Sequence, residues 1–139
     1  MGCPALRFAK GGMEQTKIEV AMYSPVLLDH FEHPRHVGEL TDADARVTVE
    51  NPACGDIMLL TIKLADCTIG DARFRTKGCV AAIACGSRLT EMIIGKTIQQ
   101  VRALDRNELV DSIGGLSNET MHASYLAFDA LASALRQLQ

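Results

Sequence analysis

The 139-residue sequence has no CxxC pair, no apolar run near the roughly 20 residues of a membrane span, and no basic stripe with interleaved aromatics. Each absence removes a class of function. Without a CxxC, any cysteine-based site has to be assembled in three dimensions. With a net charge of −3 and scattered Lys and Arg, a nucleic-acid surface is not expected, nor is a membrane partner. The N-terminal stretch "MGCPALRFAKGG" lacks the apolar core of a signal peptide, and Leu6 stands where a myristoylation motif wants Ser or Thr, so a cytoplasmic location is expected. Residues 1–20 read as a disordered tail and 21–139 as one domain, whose 47% hydrophobic content is enough for a real core.

What is present is cysteine: Cys3, Cys54, Cys67, Cys79 and Cys85. A reducing compartment keeps such thiols free, which turns attention to metal ligation or thiol chemistry.

Along the chain, Ser24 and Pro25 predict a helix start, and Pro34 its end. "ARVTVENP", "DIMLLTIKLA" and "TIGDARFRTKG" predict three antiparallel strands, the last two joined by a hairpin through "ADCTIGD". After Gly78 the period changes to that of a long Ala-rich helix ending at Gly95. Thr97 and Asp105 predict caps of two short helices. A final helix opens at His122, with Met121, Tyr125, Phe128, Leu131, Leu135 and Leu138 predicted as its core stripe. Strands first and helices after give an α+β class.

Three places carry chemistry. Cys54 and Asp56 lie in the turn "NPACGD" before a strand. Cys79 lies where the third strand gives way to the long helix, beside free N–H groups that are expected to lower its thiol pKa. His122 begins the last helix. If these meet at one end of the sheet, two thiolates, a carboxylate and an imidazole converge, a chemically sensible tetrahedral set. Cys85, six residues after Cys79 on a helix, is about 9 Å and about 240° away and is not expected to share that site. Cys67 belongs to the hairpin link and Cys3 to the tail. His30, His33 and His36 at three-residue steps need no metal near a helix C-terminus. A Cys79–His122 nucleophile pair lacks an identifiable orienting residue.

In order and approximate spacing, "YSPVLLDHFEHPRHVGEL", "NPACGDIMLLTIKL", "DARFRTKGCVAAIACGSRLTEMIIGKT" and "HASYLAFDALASAL" resemble the NifU N-terminal, or IscU-like, iron–sulfur cluster assembly scaffold family, from Tyr23 to Leu135. The most specific segments are Asp-His-Phe-x-x-Pro-Arg, Ala-Cys-Gly-Asp, and Phe-x-Thr-x-Gly-Cys followed by the Ala-rich helix and "GKT". The resemblance implies a three-stranded antiparallel sheet with helices on one face. It also implies a carrier, not a turnover enzyme, on which a cysteine desulfurase delivers sulfur and a transient two-iron, two-sulfide cluster is built for apo-protein acceptors. The ligand set it implies is Cys54, Asp56, Cys79 and His122, with zinc able to occupy the same site and the aspartate associated with lability.

The family's third cysteine, implicated in accepting sulfur, falls on Ala123. A degenerate zinc-binding or metal-free relative that acts as a partner or regulator of assembly is therefore the alternative. The segment "LSNETMHAS" lacks the Leu-Pro-Pro-Val-Lys of scaffolds served by a dedicated heat-shock chaperone, which is not expected as a partner. The step from Cys79 to His122 also lacks the insertion of the zinc-dependent sulfur-acceptor branch.

Overall fold

The computed structural model describes residues 23–52 and 55–138. The tail expected at residues 1–20 and the ligand expected at Cys54 lie outside the described residues. Helix α1 (Pro25–Glu32) starts as its sequence dictates, with Ser24 accepting a hydrogen bond from Leu27 N at 3.0 Å and Pro25 in the first turn. Strands β1 (Ala45–Glu50), β2 (Ile57–Ala65) and β3 (Thr68–Lys77) form one antiparallel meander in that order. The β2–β3 link needs only Asp66, in the left-handed region at φ 59°, and exposed Cys67.

Register aligns one face: Val47 opposes Leu60, and Leu60 opposes Phe74. With Ala45, Met58, Ile62 and Ala72 these side chains are buried, whereas Arg46, Thr48 and Arg75 on the other face are exposed. Period-2 patterning thus translates into one wet and one dry face. Burying each large side chain is worth about 1.5–3 kcal/mol, so the dry face has to be covered.

Two long helices cover it. Helix α2 (Val80–Ile93) packs on β3 and α1, and α5 (His122–Gln137) packs on β1, β2 and α2. Gly86 of α2 lies flat on Phe74, where a Cβ would come within 2.5 Å of the ring. Between them, α3 (Ile98–Arg102) and α4 (Arg106–Ser112) each begin with a complete capping box, on Thr97 and Asp105 respectively.

The core stripe of α5 differs from expectation. Leu131 and Leu135 are buried, but Tyr125 is 52% exposed, and Met121, Phe128 and Leu138 are only half-buried. The buried face is instead Ala123, Leu126, Ala127, Ala130, Leu131 and Ala134. Small alanines let the helix axis approach the sheet closely, and the bulkier residues flank the contact. Counting large side chains alone put the stripe at the wrong angle.

Candidate metal centre

Three chain segments meet at the end of the sheet where β2 begins and β3 ends. Asp56 stands one residue before β2 and is buried. The turn leading into it is closed by hydrogen bonds from Gly55 N to Asn51 O (2.7 Å) and from Asn51 N to Asp56 O (2.8 Å). Gly55 adopts φ 78°, a conformation that strains any residue with a Cβ. Cys79 is the N-cap of α2 in extended conformation, its carbonyl accepting from Ala82 N and Ile83 N. His122 is the first residue of α5.

These three side chains point at one another. Cys79 Sγ lies 3.8 Å from His122 Nε2, which lies 3.6 Å from Asp56 Oδ2. One ligand atom from each falls within 4.8 Å of the others. For a tetrahedral ion with bonds of about 2.3 Å to sulfur and about 2.0 Å to nitrogen, the sulfur–nitrogen edge is about 3.5 Å. The observed spacing exceeds this by only a few tenths of an ångström. The donor set, one soft, one borderline and one hard, suits zinc or iron.

The same geometry argues against a Cys–His nucleophile. In such a pair the acid orients the base through the imidazole's other nitrogen. Here the thiol and the carboxylate both approach Nε2. The three groups surround a common point, as the ligands of a metal ion would.

Gly78 makes the convergence possible. A Cβ there would lie 2.5 Å from Asp56 Cγ and 2.7 Å from Oδ1, so the carboxylate rests directly on a bare backbone. The Cys79 N–H reaches Asp56 Oδ2 at 3.5 Å. The sequence showed Gly78 inside Phe-x-Thr-x-Gly-Cys but gave it no role.

The expected fall in the Cys79 pKa is not found. Burial pushes the thiol up, the Ala82 and Ala81 N–H groups pull it down, and neighbouring Asp56 adds to the rise. Desolvation and a like charge outweigh the helix terminus. Cys85 is fully buried in the core and pushed up to about 12, also by burial. The nearby Cys79 thiol adds to the rise, and among the described residues the group of ligand atoms within 4.8 Å of one another is that of Asp56, Cys79 and His122.

Two of the three N-terminal histidines have side-chain partners within the fold. Buried His30 joins Ser87 Oγ through Nδ1 at 2.7 Å and Glu91 through Nε2 at 3.3 Å. His36 Nδ1 meets Thr90 Oγ1 at 3.0 Å, and His33 caps α1 through its backbone N–H. The His30 and His36 contacts tie α1 and the following turn to α2, and the Arg35–Asp29 pair (2.6 Å) ties that turn back to α1.

Residues 22–139 match the family of the NifU-like N terminal domain. The chain belongs to that family. Two relatives in this NifU-like family carry the name iron–sulfur cluster assembly scaffold protein. IscU 1 of Archaeoglobus fulgidus is 48% identical over 114 residues, covering 82% of this chain and 74% of its own length. IscU of Escherichia coli K12 is 40% identical over 117 residues, covering 81% and 91%. The fold is shared with the N-terminal NifU-like protein of Brucella abortus, at TM-score 0.68 and 22% identity over 84% of this chain and 94% of that one. It is shared also with a SUF-system protein of Fervidobacterium islandicum, at TM-score 0.71 and 22% identity over 83% and 97%.

Proposed function

We propose that this chain is an iron–sulfur cluster assembly scaffold that holds its cargo through Cys54, Asp56, Cys79 and His122 and passes it to apo-proteins. The observation that carries this reading is the approach of Asp56, Cys79 and His122 around one point, from three separate segments of a NifU-like fold. Family membership and the scaffold names of the relatives support it. A bound cation offsets the burial and the Asp56 charge that push the Cys79 thiol up, so loading and thiolate formation go together. Asp56 supplies a hard oxygen among softer donors, the contact most readily exchanged when cargo leaves. The proposed partners are a cysteine desulfurase as sulfur donor and apo iron–sulfur proteins as acceptors, with no dedicated heat-shock chaperone. The chain works as a carrier in a compartment that keeps thiols reduced. No helix among the described residues is long and apolar enough to cross a membrane.

Anaerobic reconstitution with iron and sulfide tests this. The expected result is a visible thiolate-to-iron charge-transfer spectrum that is lost in Cys79→Ala. A colourless wild-type product refutes cluster assembly.

Ala123 favours a second reading, a zinc-binding relative that regulates assembly. This position is buried and offers no sulfur. One tightly held zinc per chain, with no cluster after reconstitution, selects it.

A further inference from the structure

Helix α5 begins without the usual device. Its N-cap is Met121, in helical conformation at φ −60° and ψ −28°, with no side-chain cap hydrogen bond. Helices α1, α3 and α4 all have side-chain caps, whereas α2, like α5, has none. Yet α5 carries His122 on its first residue, where fraying moves the imidazole directly.

Backbone hydrogen bonds from Ala123 N to Thr120 O and from Ser124 N to Met121 O, each 3.0 Å, hold this turn, and a residue from another helix lies across it. Arg106, the first residue of α4, sends Nη1 to Ser124 Oγ at 3.0 Å and to Met121 Sδ at 3.3 Å. Its guanidinium carbon lies 4.1 Å from the centroid of the Tyr125 ring. Ser124 in turn donates to Met121 O at 2.7 Å, closing the first turn on itself. The guanidinium therefore touches the residue before His122 and the two residues at 124 and 125, all in that turn. Among the described residues it has no carboxylate partner within ion-pair distance. One nitrogen, Nη1, makes both polar contacts, and the flat face of the guanidinium lies over Tyr125.

We propose that Arg106 is a positioning residue for His122, clamping the uncapped start of α5 so that Nε2 stays aimed at Cys79 and Asp56. The inference rests on the reading of His122 as a ligand and extends it to a residue far away in sequence. Arg106 touches no ligand atom. It acts by removing the freedom of the turn that holds one. The preorganisation shows up as metal affinity, because an imidazole that wanders has to be re-ordered on each binding event.

The test is an anaerobic Co²⁺ titration, read by ligand-field absorption, of wild-type, Arg106→Met, Arg106→Lys, His122→Ala and the His122→Ala/Arg106→Met double variant. Arg106→Met and Arg106→Lys are each expected to weaken Co²⁺ binding about 10-fold, the lower end for a group that orients a ligand. Lysine keeps the charge but has no planar group to lie over Tyr125 while one nitrogen reaches Met121 and Ser124, so it does not rescue. In the His122→Ala background, Arg106→Met is expected to add nothing further, because its effect runs through the imidazole. Tyr125→Leu, at an exposed position that folding tolerates, is expected to weaken binding about threefold by removing the stacking surface.

Wild-type affinity in the Arg106 and Tyr125 variants overturns the proposal, as does full rescue by lysine. The same loss in the presence and absence of His122 also overturns it, since that is the mark of a general structural role. If wild-type itself fails to bind Co²⁺, or His122→Ala binds as tightly as wild-type, the ligand reading fails and the inference with it.

Discussion

Gly78→Ala offers a direct test of how the centre is built. The glycine has no positive φ, so alanine meets no backbone strain there, and on chain entropy alone the change stabilises by about 0.4–1 kcal/mol. What opposes it is contact. The new Cβ would lie 2.5 Å from Asp56 Cγ, 2.7 Å from Oδ1 and 2.9 Å from Cβ, against an ordinary separation of about 3.5–4.0 Å. Relief requires the buried carboxylate to swing by about 1 Å, the scale of repacking strain, which costs about 1–3 kcal/mol. The contact cost offsets or exceeds the entropy gain, so the metal-free protein is expected to lose between about 0 and about 2.6 kcal/mol and to remain folded. The displaced Asp56 no longer fits the position 3.6 Å from His122 Nε2, and zinc affinity is expected to fall about 10- to 100-fold. Zinc competition with a chromophoric chelator measures the affinity, and urea unfolding of the metal-free protein measures the stability. Wild-type zinc affinity in Gly78→Ala refutes the claim that the bare backbone at 78 sets the carboxylate.

Other perturbations separate scaffold from site. Gly86→Ala would put a Cβ 2.5 Å from the Phe74 ring and is expected to cost about 1–3 kcal/mol in urea unfolding, with zinc affinity per folded molecule unchanged. Burial, and after it Arg35, holds His30 below its ordinary 6.5, so the folded state keeps the imidazole neutral. The unfolded chain then binds more protons at acid pH. The His30 contribution is therefore full above pH 6.5 and is lost as pH falls below it, and His30→Gln is expected to flatten the urea midpoint between pH 7.5 and 5.5. Cys85 is expected to resist alkylation at pH 8 until urea unfolds the protein, while exposed Cys67 reacts at once, read by peptide mass mapping. Ala123→Cys adds a donor beside His122 and is expected to raise iron and sulfide bound per chain after reconstitution, with zinc stoichiometry unchanged; equal iron and sulfide in both proteins contradicts it.

Local chemistry was legible in the sequence because local rules decide it. Ser24, Thr97 and Asp105 cap the helices expected of them, and the alternation in β2 and β3 gives their faces directly. The junction role of Cys79 and the helix-start role of His122 followed from the same punctuation. What escaped depends on distance across the fold. Tyr125 seemed a core residue because large apolar side chains dominate a helical stripe, whereas the sheet selected the alanines. The Cys79 pKa goes up because desolvation and Asp56, neither visible in a linear motif, outweigh the helix terminus. Arg106 gave no local signal at all, since its partners Met121 and Ser124 lie beyond the α4–α5 loop.

The exchange of sulfur for a methyl group at position 123 changes the donor count more than the shape. Ala123 is wholly buried among the core alanines of α5, so the position is filled and the helix start intact. Four proposed donors then remain: Cys54, Asp56, Cys79 and His122. A single tetrahedral ion needs four and is saturated by them. A two-iron cluster also needs four protein ligands, two on each iron, so it takes every donor and leaves none free to trade places during release. With a fifth donor, one ligand can leave as another arrives. Without it, departure of cargo exposes an iron to solvent or to an incoming acceptor ligand. Beside thiolates and an imidazole, a carboxylate is the hardest donor of the proposed set, so on that reading Asp56 would be the contact that opens first. On the proposed reading, the Asp56–Gly78 contact would govern retention as well as geometry, and an acceptor protein that brings its own thiolate to the Asp56 side would complete the exchange that Ala123 cannot.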